Sequence, residues 1–524
     1  MRTVVLSGFM ATGKTTIGKL VAQELGLPFL DTDRLLEQET GKTTGELFAQ
    51  EGEARFRDRE ATLIPPLLRD ATPRVIAFGG GAVTTPRVRH EALERTTVIT
   101  LTATPETIGQ RATSIAERPN LGASSPVERA RDLLQLRREV YGECHATLAT
   151  DGRTPEDIAR QIVAIAREDS IAVPLGTRSY AVELVNDEPD ALRRALVNLK
   201  PSSLVVVTDE NVLAARGAWL DAALPDGVPV SRVVLVPGEE HKTAATVGNI
   251  WDAALTVGLD RQAVVVAFGG GVVGDLAGFA ASTLLRGVRC VQVATTLLSM
   301  VDSSVGGKTG FDHATGKNLL GAFFQPSRVV LDLEHLTTLP ERQRTAGLAE
   351  VIKIALTNDH ELLELLESDD GRIAKGDPAR LRDVVRAAVV AKMRVVREDE
   401  HETGVRALLN LGHTIGHALE THGNYTRWLH GEAVAIGTVL ELGAAERLGL
   451  SPAHISERAA ALFTRFGLPT TASLADVRAA WPYVKNDKKR VGTAVKLPVV
   501  VAAGQGRVER VELLDLGRAL GVSD

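Results

Sequence analysis

Thr3-Val-Val-Leu-Ser-Gly8-Phe-Met-Ala-Thr-Gly13-Lys14-Thr15 decides how the first third of the chain folds. A β-branched apolar run (residues 3–6) enters G-x-x-x-x-G-K-[ST], and a helical pattern follows at once, the context that motif requires. The glycines let backbone N–H groups converge on phosphate oxygens at a helix N-terminus. The Lys14 ammonium neutralises the outer phosphates, and the Thr15 hydroxyl is placed to hold Mg2+. The bland alternative, an ordinary Gly-rich turn, does not account for the strand before and the helix after.

Outward from this loop, β-branched runs at residues 75–78 and 98–101 alternate with segments of helical length, which predicts a parallel sheet covered by helices. Leu-Pro-Phe-Leu-Asp31-Thr-Asp33 sets two carboxylates at i and i+2. At a strand end that spacing predicts both on one side, one for a metal and one for a hydroxyl, although a turn or cap explains such a pair as often. Arg57 and Glu60 lie one helical turn apart, and Gly79-Gly80-Gly81 follows a buried strand. The character changes over residues 167–179, which places a domain boundary near residue 169.

Composition narrows the rest. At roughly 100 to 200 residues per domain, 524 residues imply three or four domains, and 44% hydrophobic with 24% charged residues is a globular balance. Sixty Lys plus Arg against 66 Asp plus Glu, with no long basic block, excludes a nucleic-acid polymer as the expected partner. Cys144 and Cys290 are far apart and form no C-x-x-C, which suggests a reducing compartment. The N-terminus runs directly into the Gly-rich loop, so a secretory signal is not expected and the cytoplasm is the default address. Residues 263–285 approach the length of a membrane span, but they carry Asp275 and break at Gly269-Gly270-Gly271, so they read as strand, turn and helix.

Strand candidates recur at residues 180–184, 204–207, 233–236, 263–268 and 288–293. After Leu339-Pro340 the β signal fades, and residues 380–397 and 432–448 read as helix, so a mainly helical domain is expected from about residue 336. Gly269-Gly-Gly271-Val-Val-Gly274 fits the dinucleotide pattern, yet no acid lies between Asp275 and Asp302 to take a ribose. The ribose partner is therefore sought in Asp209 or in Glu239 to Lys242, which follow other strands. His413 and His417 stand at i and i+4, with His430-Gly-Glu432 downstream and Glu350-Val-Ile-Lys353 upstream. Two histidines and one carboxylate would leave a Zn2+ ion an open, catalytic position. H-E-x-x-H is absent, and hydrogen-bonded or surface histidines are the commoner meaning of H-x-x-x-H. Asp302, Lys308, Lys317 and Asn318, set among glycines, suit an anionic, hydroxylated substrate.

In this order the motifs of residues 1–168 resemble shikimate kinase, of the nucleoside monophosphate kinase family. That resemblance implies ATP with Mg2+, Gly8, Gly13, Lys14 and Thr15 at the nucleotide, Asp31 as a water-mediated metal partner, and Asp33 at the 3-hydroxyl of shikimate. Arg57, Arg137 and Gly79, Gly80 and Gly81 would hold the substrate, with Glu60 steadying Arg57. Arg118, in Ile115-Ala-Glu-Arg118-Pro-Asn120, would reach the γ-phosphate, although Asn120 departs from the family pattern.

Residues 171–524 resemble 3-dehydroquinate synthase. The implied NAD+ contacts are Asp209, Glu239, Lys242, Gly270, Gly271, Asp275, Thr295 and Thr296, with Lys317 between cofactor and substrate. Zn2+, or Co2+, would sit on Glu350, His413 and His430. The substrate, 3-deoxy-D-arabino-heptulosonate 7-phosphate, would meet Asp302, Lys308, Asn318, Lys353, Lys392, Arg406, Asn410 and His417, the last a candidate for proton transfer. Arg286 would reach a neighbouring subunit of a homodimer, and one lysine of Asp487-Lys488-Lys489 would touch substrate.

The expected fold is α/β: a P-loop, nucleoside-monophosphate-kinase-like parallel-sheet domain (1–168), a Rossmann-like nucleotide-binding domain (169–335) and a helical metal and substrate domain (336–524). The rival reading is a small-molecule kinase fused to a metal-dependent NAD alcohol dehydrogenase; a third is that one module is a non-catalytic scaffold.

Overall fold

In a computed structural model that describes residues 1–113, 125–313, 316–484, 490, 491 and 493–523, the apolar run at the N-terminus becomes β1 (Val4–Gly8), buried at every position. With β2 (Phe29–Asp31), β3 (Val75–Ala77), β4 (Thr97–Thr102) and β5 (Ala146–Ala149) it forms a parallel sheet in the order β2-β3-β1-β4-β5. Successive residues of β1 face opposite sides, and each side has its own core. Val4 and Leu6 pack with the helices Lys14–Leu25 and Pro155–Arg167, whereas Val5 packs toward Thr44–Arg69 and Pro86–Arg95. Both faces of the central strands are covered, which is why β1 and β3 are buried at every position and read as apolar runs instead of alternating ones.

The chain divides into two compact units, Met1–Glu183 and Leu184–Asp524. β6 (Asp169–Val173) and β7 (Tyr180–Val185) are hydrogen-bonded neighbours at the end of the first.

Within the second unit, β8 (Leu204–Asp209), β9 (Val230–Leu235), β10 (Val264–Gly269), β11 (Arg289–Ala294) and a later strand, β14 (Arg328–Asp332), lie parallel in the order β14-β11-β10-β8-β9. The register pairs Gly269 with Ala294, Phe268 with Thr208, and Asp209 with Leu235. Four strands therefore end level, and the loops that follow them share one edge. Residues 263–285 are indeed strand, turn and helix: β10, then Gly271–Thr283. No helix among the described residues is long and apolar enough to cross a membrane.

Before β14 the chain makes an antiparallel hairpin, β12 (Lys308–His313) and β13 (Gly316–Phe323), which the sequence pattern does not announce. From Glu341 helices dominate: Glu341–Asn358, Pro378–Glu398, His413–His422 and His430–Arg447. The β signal does not vanish, because β15 (Arg490–Val491), β16 (Ala494–Ala502) and β17 (Gln505–Glu512) form a small antiparallel sheet near the C-terminus.

Candidate active sites

In the first unit the phosphate loop is shaped by backbone that only glycine adopts easily. Gly8 has φ 130° and Gly13 φ 93°, and a Cβ on Gly8 would lie 2.2 Å from the Leu101 carbonyl oxygen. Lys14 Nζ donates to the carbonyls of Gly8 (2.9 Å) and Phe9 (2.8 Å), so the ammonium lies folded over its own loop. Thr15 Oγ1 donates to Asp31 Oδ2 at 2.8 Å, which places a hydroxyl and a carboxylate together at the head of the helix.

Asp31 and Asp33 are not related by strand alternation as the spacing suggested. β2 stops at Asp31, whose Oδ1 accepts the Asp33 N–H at 3.1 Å and caps the helix Thr32–Thr40, and Asp33 lies in its first turn. A helix cap took over where a strand was expected to continue. Asp33 still points into the site: a Cβ on Gly79 would meet Asp33 Oδ1 at 2.4 Å and Glu60 Oε1 at 2.9 Å. Glu60 is fully buried, its Oε1 has no hydrogen-bond partner, and burial raises its carboxyl to about 7, against the pull of Arg57. Arg57 Nη1 donates to Glu60 Oε2 at 2.5 Å, and the guanidinium fills the place of a Cβ on Gly81. Arg137 Nη1 reaches the Gly80 carbonyl at 3.4 Å. The structure thus gathers Asp33, Arg57, Glu60, Arg137 and the three glycines. Arg118 lies outside the described residues. Arg111, which no sequence signal marked, donates to the Ala11 carbonyl inside the phosphate loop at 3.3 Å.

In the second unit the residues singled out for a nucleotide stand along the level strand ends: Asp209 as the last residue of β8, Glu239 and Lys242 after β9, Gly270 and Gly271 after β10, and Thr295 and Thr296 after β11. Asp209 caps its helix through the Val212 N–H (2.9 Å). Lys242 Nζ pairs with Asp275 Oδ2 (2.6 Å) and donates to Asn318 Oδ1 (2.7 Å), tying the sheet edge to the β12–β13 hairpin. Burial would depress this ammonium, but Asp275 and Glu239 hold it above the ordinary lysine range. Thr295 Oγ1 is buried without a partner at the same edge.

Beyond that edge lies a cavity of about 580 Å3. Glu350, in the middle of Glu341–Asn358, brings Oε1 to 3.6 Å from His413 Nε2 and 3.3 Å from His430 Nε2. The ligand atoms of the three lie within 4.8 Å of one another, and buried Glu350 Oε1 has no hydrogen-bond partner. The other ring nitrogens are engaged: His413 Nδ1 with the Leu411 carbonyl (3.1 Å) and His430 Nδ1 with Glu420 Oε2 (3.2 Å). Both Nε2 atoms are thereby oriented toward one point, the outer arrangement that fixes metal-binding imidazoles. Burial opposes charge on His430, yet Glu420 and Glu350 raise it to about 10, so this pocket attracts positive charge.

The other cavity residues divide by sign. Asp302 sits on the π-turn Ser299–Ser303 and takes Lys392 Nζ at Oδ1 (2.5 Å). Burial would raise its carboxyl, but Lys392 and Lys353 hold it far below the carboxylate range. Lys353, one turn after Glu350, donates to Glu350 Oε2. Lys308 pairs with Glu402, whose Oε1 also accepts Asn410 Nδ2 at 2.5 Å. Buried Arg406 donates to the Gly306 carbonyl at 2.9 Å. Lys317 Nζ bridges Glu239 Oε1 (3.1 Å) and Glu420 Oε1 (3.2 Å), between the sheet edge and the imidazoles. His417 lines the same cavity, its ring 5.1 Å from that of His413. Arg286 does not join: it is exposed, with φ 67°, off the cavity wall. Residues 487–489 lie outside the described residues.

Three carboxylates were missed. Glu402 and Glu420 hold the basic residues, and Glu441 anchors the helix that bears His413, accepting the N–H groups of Gly412 (2.8 Å) and Ile415 (2.9 Å). Only Glu420 carried a signal, since it extends the i, i+4, i+7 stripe of His413 and His417.

Comparison with known proteins agrees with this division. The shikimate kinase family model matches residues 10–167, that of the 3-dehydroquinate synthase N-terminal region residues 232–346, and that of its C-terminal region residues 347–490. The 3-dehydroquinate synthase of Pelobacter propionicus is 48% identical over 57% of this chain and 84% of its own length. That of Geobacter metallireducens is 42% identical over 68% and 98%. Among solved structures, 2-epi-5-epi-valiolone synthase from Streptomyces hygroscopicus, with NAD+ and Zn2+ bound, superposes with a TM-score of 0.57 at 29% identity, covering 65% of this chain and 95% of its own. The chain belongs to the 3-dehydroquinate synthase family through residues 232–490, and it carries a shikimate kinase domain over residues 10–167 ahead of them.

Proposed function

We propose that the chain phosphorylates the 3-hydroxyl of shikimate with ATP in its first module and converts 3-deoxy-D-arabino-heptulosonate 7-phosphate to 3-dehydroquinate and phosphate in its second. The domains assigned are 1–168, 169–335 and 336–524. The observation that carries the synthase reading is the convergence of Glu350 Oε1 with the Nε2 atoms of His413 and His430, two imidazoles that line a cavity whose wall also bears Lys308, Lys353, Lys392, Arg406, Asn318 and Asn410.

In the kinase site, Lys14, Thr15 and Asp31 would hold the magnesium nucleotide. Asp33 Oδ1 and Glu60 Oε1, meeting beside Gly79, would accept the substrate hydroxyls, Asp33 taking the 3-hydroxyl proton. Arg57 and Arg137 match a carboxylate with two planar forks.

In the synthase site a carboxylate and two neutral imidazoles fit Zn2+ or Co2+, and buried Glu350 Oε1 otherwise lacks a partner. The glycine turn after β10 and the polar groups along the strand ends fit NAD+. Bound there, the ion would supply polarisation of substrate oxygens and NAD+ would supply a reversible hydride acceptor, so no net NADH would accumulate. Lys308, Lys353, Lys392 and Arg406 would neutralise the phosphate that leaves and Asn410 would donate a hydrogen bond to it, Asp302 and Asn318 would fix the sugar hydroxyls, and His417 would move a proton.

A homodimer through the synthase module is supported by exposed Val230 and Val234 on the edge strand β9 and Val236 just after it, and by Arg286, which is exposed and does not line its own cavity. Cytoplasmic residence fits two buried free cysteines, and nothing in the charge balance calls for a nucleic-acid or membrane partner.

The test is release of inorganic phosphate from the heptulosonate phosphate, with and without chelator and added NAD+, alongside shikimate-dependent ADP formation. Lys14→Ala should silence only the second assay and His413→Ala only the first. Stoichiometric NADH without phosphate release would favour an alcohol dehydrogenase and overturn the synthase reading.

A further inference from the structure

The helix Thr44–Arg69 is broken at Gly52, where φ is 79° and ψ 168°, and the next residue, Glu53, turns toward the arginine pair of the kinase site. Glu53 Oε1 lies 3.3 Å from Arg57 Nη2 and 3.9 Å from Arg137 Nη2. No steric neighbour forces this break, since a Cβ on Gly52 would meet nothing within 4 Å. The positive φ is instead the conformation that starts a new helical segment with Glu53 in its first turn.

Two carboxylates thus serve Arg57, and they differ in kind. Glu60 is wholly buried and holds Nη1 at 2.5 Å, whereas the Glu53 side chain is 60% exposed and the side chains of Arg57 and Arg137 are 14% and 10% exposed. One carboxylate is fixed; the other can swing into water at little cost. The detachable one lies across both guanidinium forks, beside the Gly79–Gly81 turn, where an acidic substrate would have to place its own carboxylate.

We propose that Glu53 is a built-in competitor for the carboxylate subsite, a residue that determines anion selectivity by occupying the two arginines until a better acid arrives. A bare inorganic anion must displace Glu53 with nothing further to gain. A hydroxylated carboxylic acid also reaches Asp33 and Glu60 beside Gly79, which offsets the lost Glu53 contact. The identity of the acid rests on the kinase reading above; the exclusion of small anions does not.

The experiment uses the full chain with Glu53→Gln, which keeps the shape and removes the charge, and Glu53→Asp, which keeps the charge. Losing an exposed pair of this kind is worth about fivefold in affinity. The Gln variant should show a shikimate KM about fivefold lower with kcat within twofold. Calorimetric titration with sodium sulfate should show tighter binding by a similar factor, and sulfate should compete better against shikimate; the Asp variant should stay near wild type in each. An unchanged or raised KM together with unchanged sulfate affinity overturns the proposal and makes Glu53 a support for the arginines. If the wild-type chain makes no shikimate-dependent ADP, the kinase reading fails, and the sulfate titration still decides the role of Glu53.

Discussion

Glu441 offers the sharpest test of how the metal-binding wall is held. It is wholly buried on His430–Arg447, and its two oxygens accept the backbone N–H groups of Gly412 and Ile415 at 2.8 and 2.9 Å, at the start of the helix that carries His413. Glu441→Ala strands two buried donors at about 1–3 kcal/mol each, and removes a negative charge from a helix N-terminus at up to about 2 kcal/mol. The expected loss is about 2–8 kcal/mol of stability in the second unit. Glu441→Gln, which retains one acceptor oxygen but opposes its amide to the other N–H, should lose roughly half as much. Because the shift falls on the turn that aims His413 Nε2, affinity for Zn2+ or Co2+ should weaken about 10–100-fold. All four tryptophans lie beyond residue 184, so urea unfolding followed by tryptophan fluorescence reports on this unit alone. A competing chromophoric chelator reads the metal affinity. If Glu441→Ala costs under about 1 kcal/mol and binds the ion as well as wild type, the helix start is held by something else and the reasoning fails.

Two further predictions concern buried groups. The Glu60 carboxyl, raised from 4.5 to about 7 by burial, binds its proton more tightly folded than unfolded. Stability of the first unit should therefore fall by about 3 kcal/mol as pH rises from 4.5 through 7 and then level off. Calorimetric melting at pH 5 and 8 measures this, and Glu60→Gln should flatten the difference; an equal slope in the variant would assign it to other groups. Gly431→Ala would put a methyl 1.9 Å from the Ala346 carbonyl oxygen, backbone against backbone, beside His430. It should cost about 3 kcal/mol by tryptophan fluorescence and weaken metal binding; a variant as stable as wild type would show that the two helices can part.

Much of this could be read from the chain before its coordinates, and the limit has a physical pattern. The phosphate loop was legible because strand, glycines, Lys14 and Thr15 are contiguous and each acts through local backbone geometry. Asp31 and Asp33 were legible as a pair, but the spacing left strand alternation and a helix cap equally open, and the cap is what forms. His413 and His417 declared themselves by helical spacing, but the third partner of the imidazoles, Glu350, lies on another helix, and only family likeness pointed to it. The β12–β13 hairpin hid because its pairing depends on glycines: a Cβ on Gly310 or Gly321 would strike the opposite backbone at 2.3 or 2.2 Å, and such positions carry no hydrophobic alternation. Glu402 and Arg111 had no signal at all, being ordinary charged residues whose meaning comes from distant partners.

The helices His413–His422 and His430–Arg447 cross where glycines let their backbones touch. A Cβ on Gly437 would lie 2.1 Å from the Gly412 carbonyl oxygen, and one on Gly412 would lie 2.2 Å from Thr438 Oγ1. No side chain can be enlarged at this crossing without driving the imidazoles apart, so sequence drift there is closed to anything bulkier than hydrogen. Altered ion preference would have to originate behind the histidines, at the Leu411 carbonyl or the Glu420 carboxylate, and an engineer seeking a different metal should begin with those two acceptors.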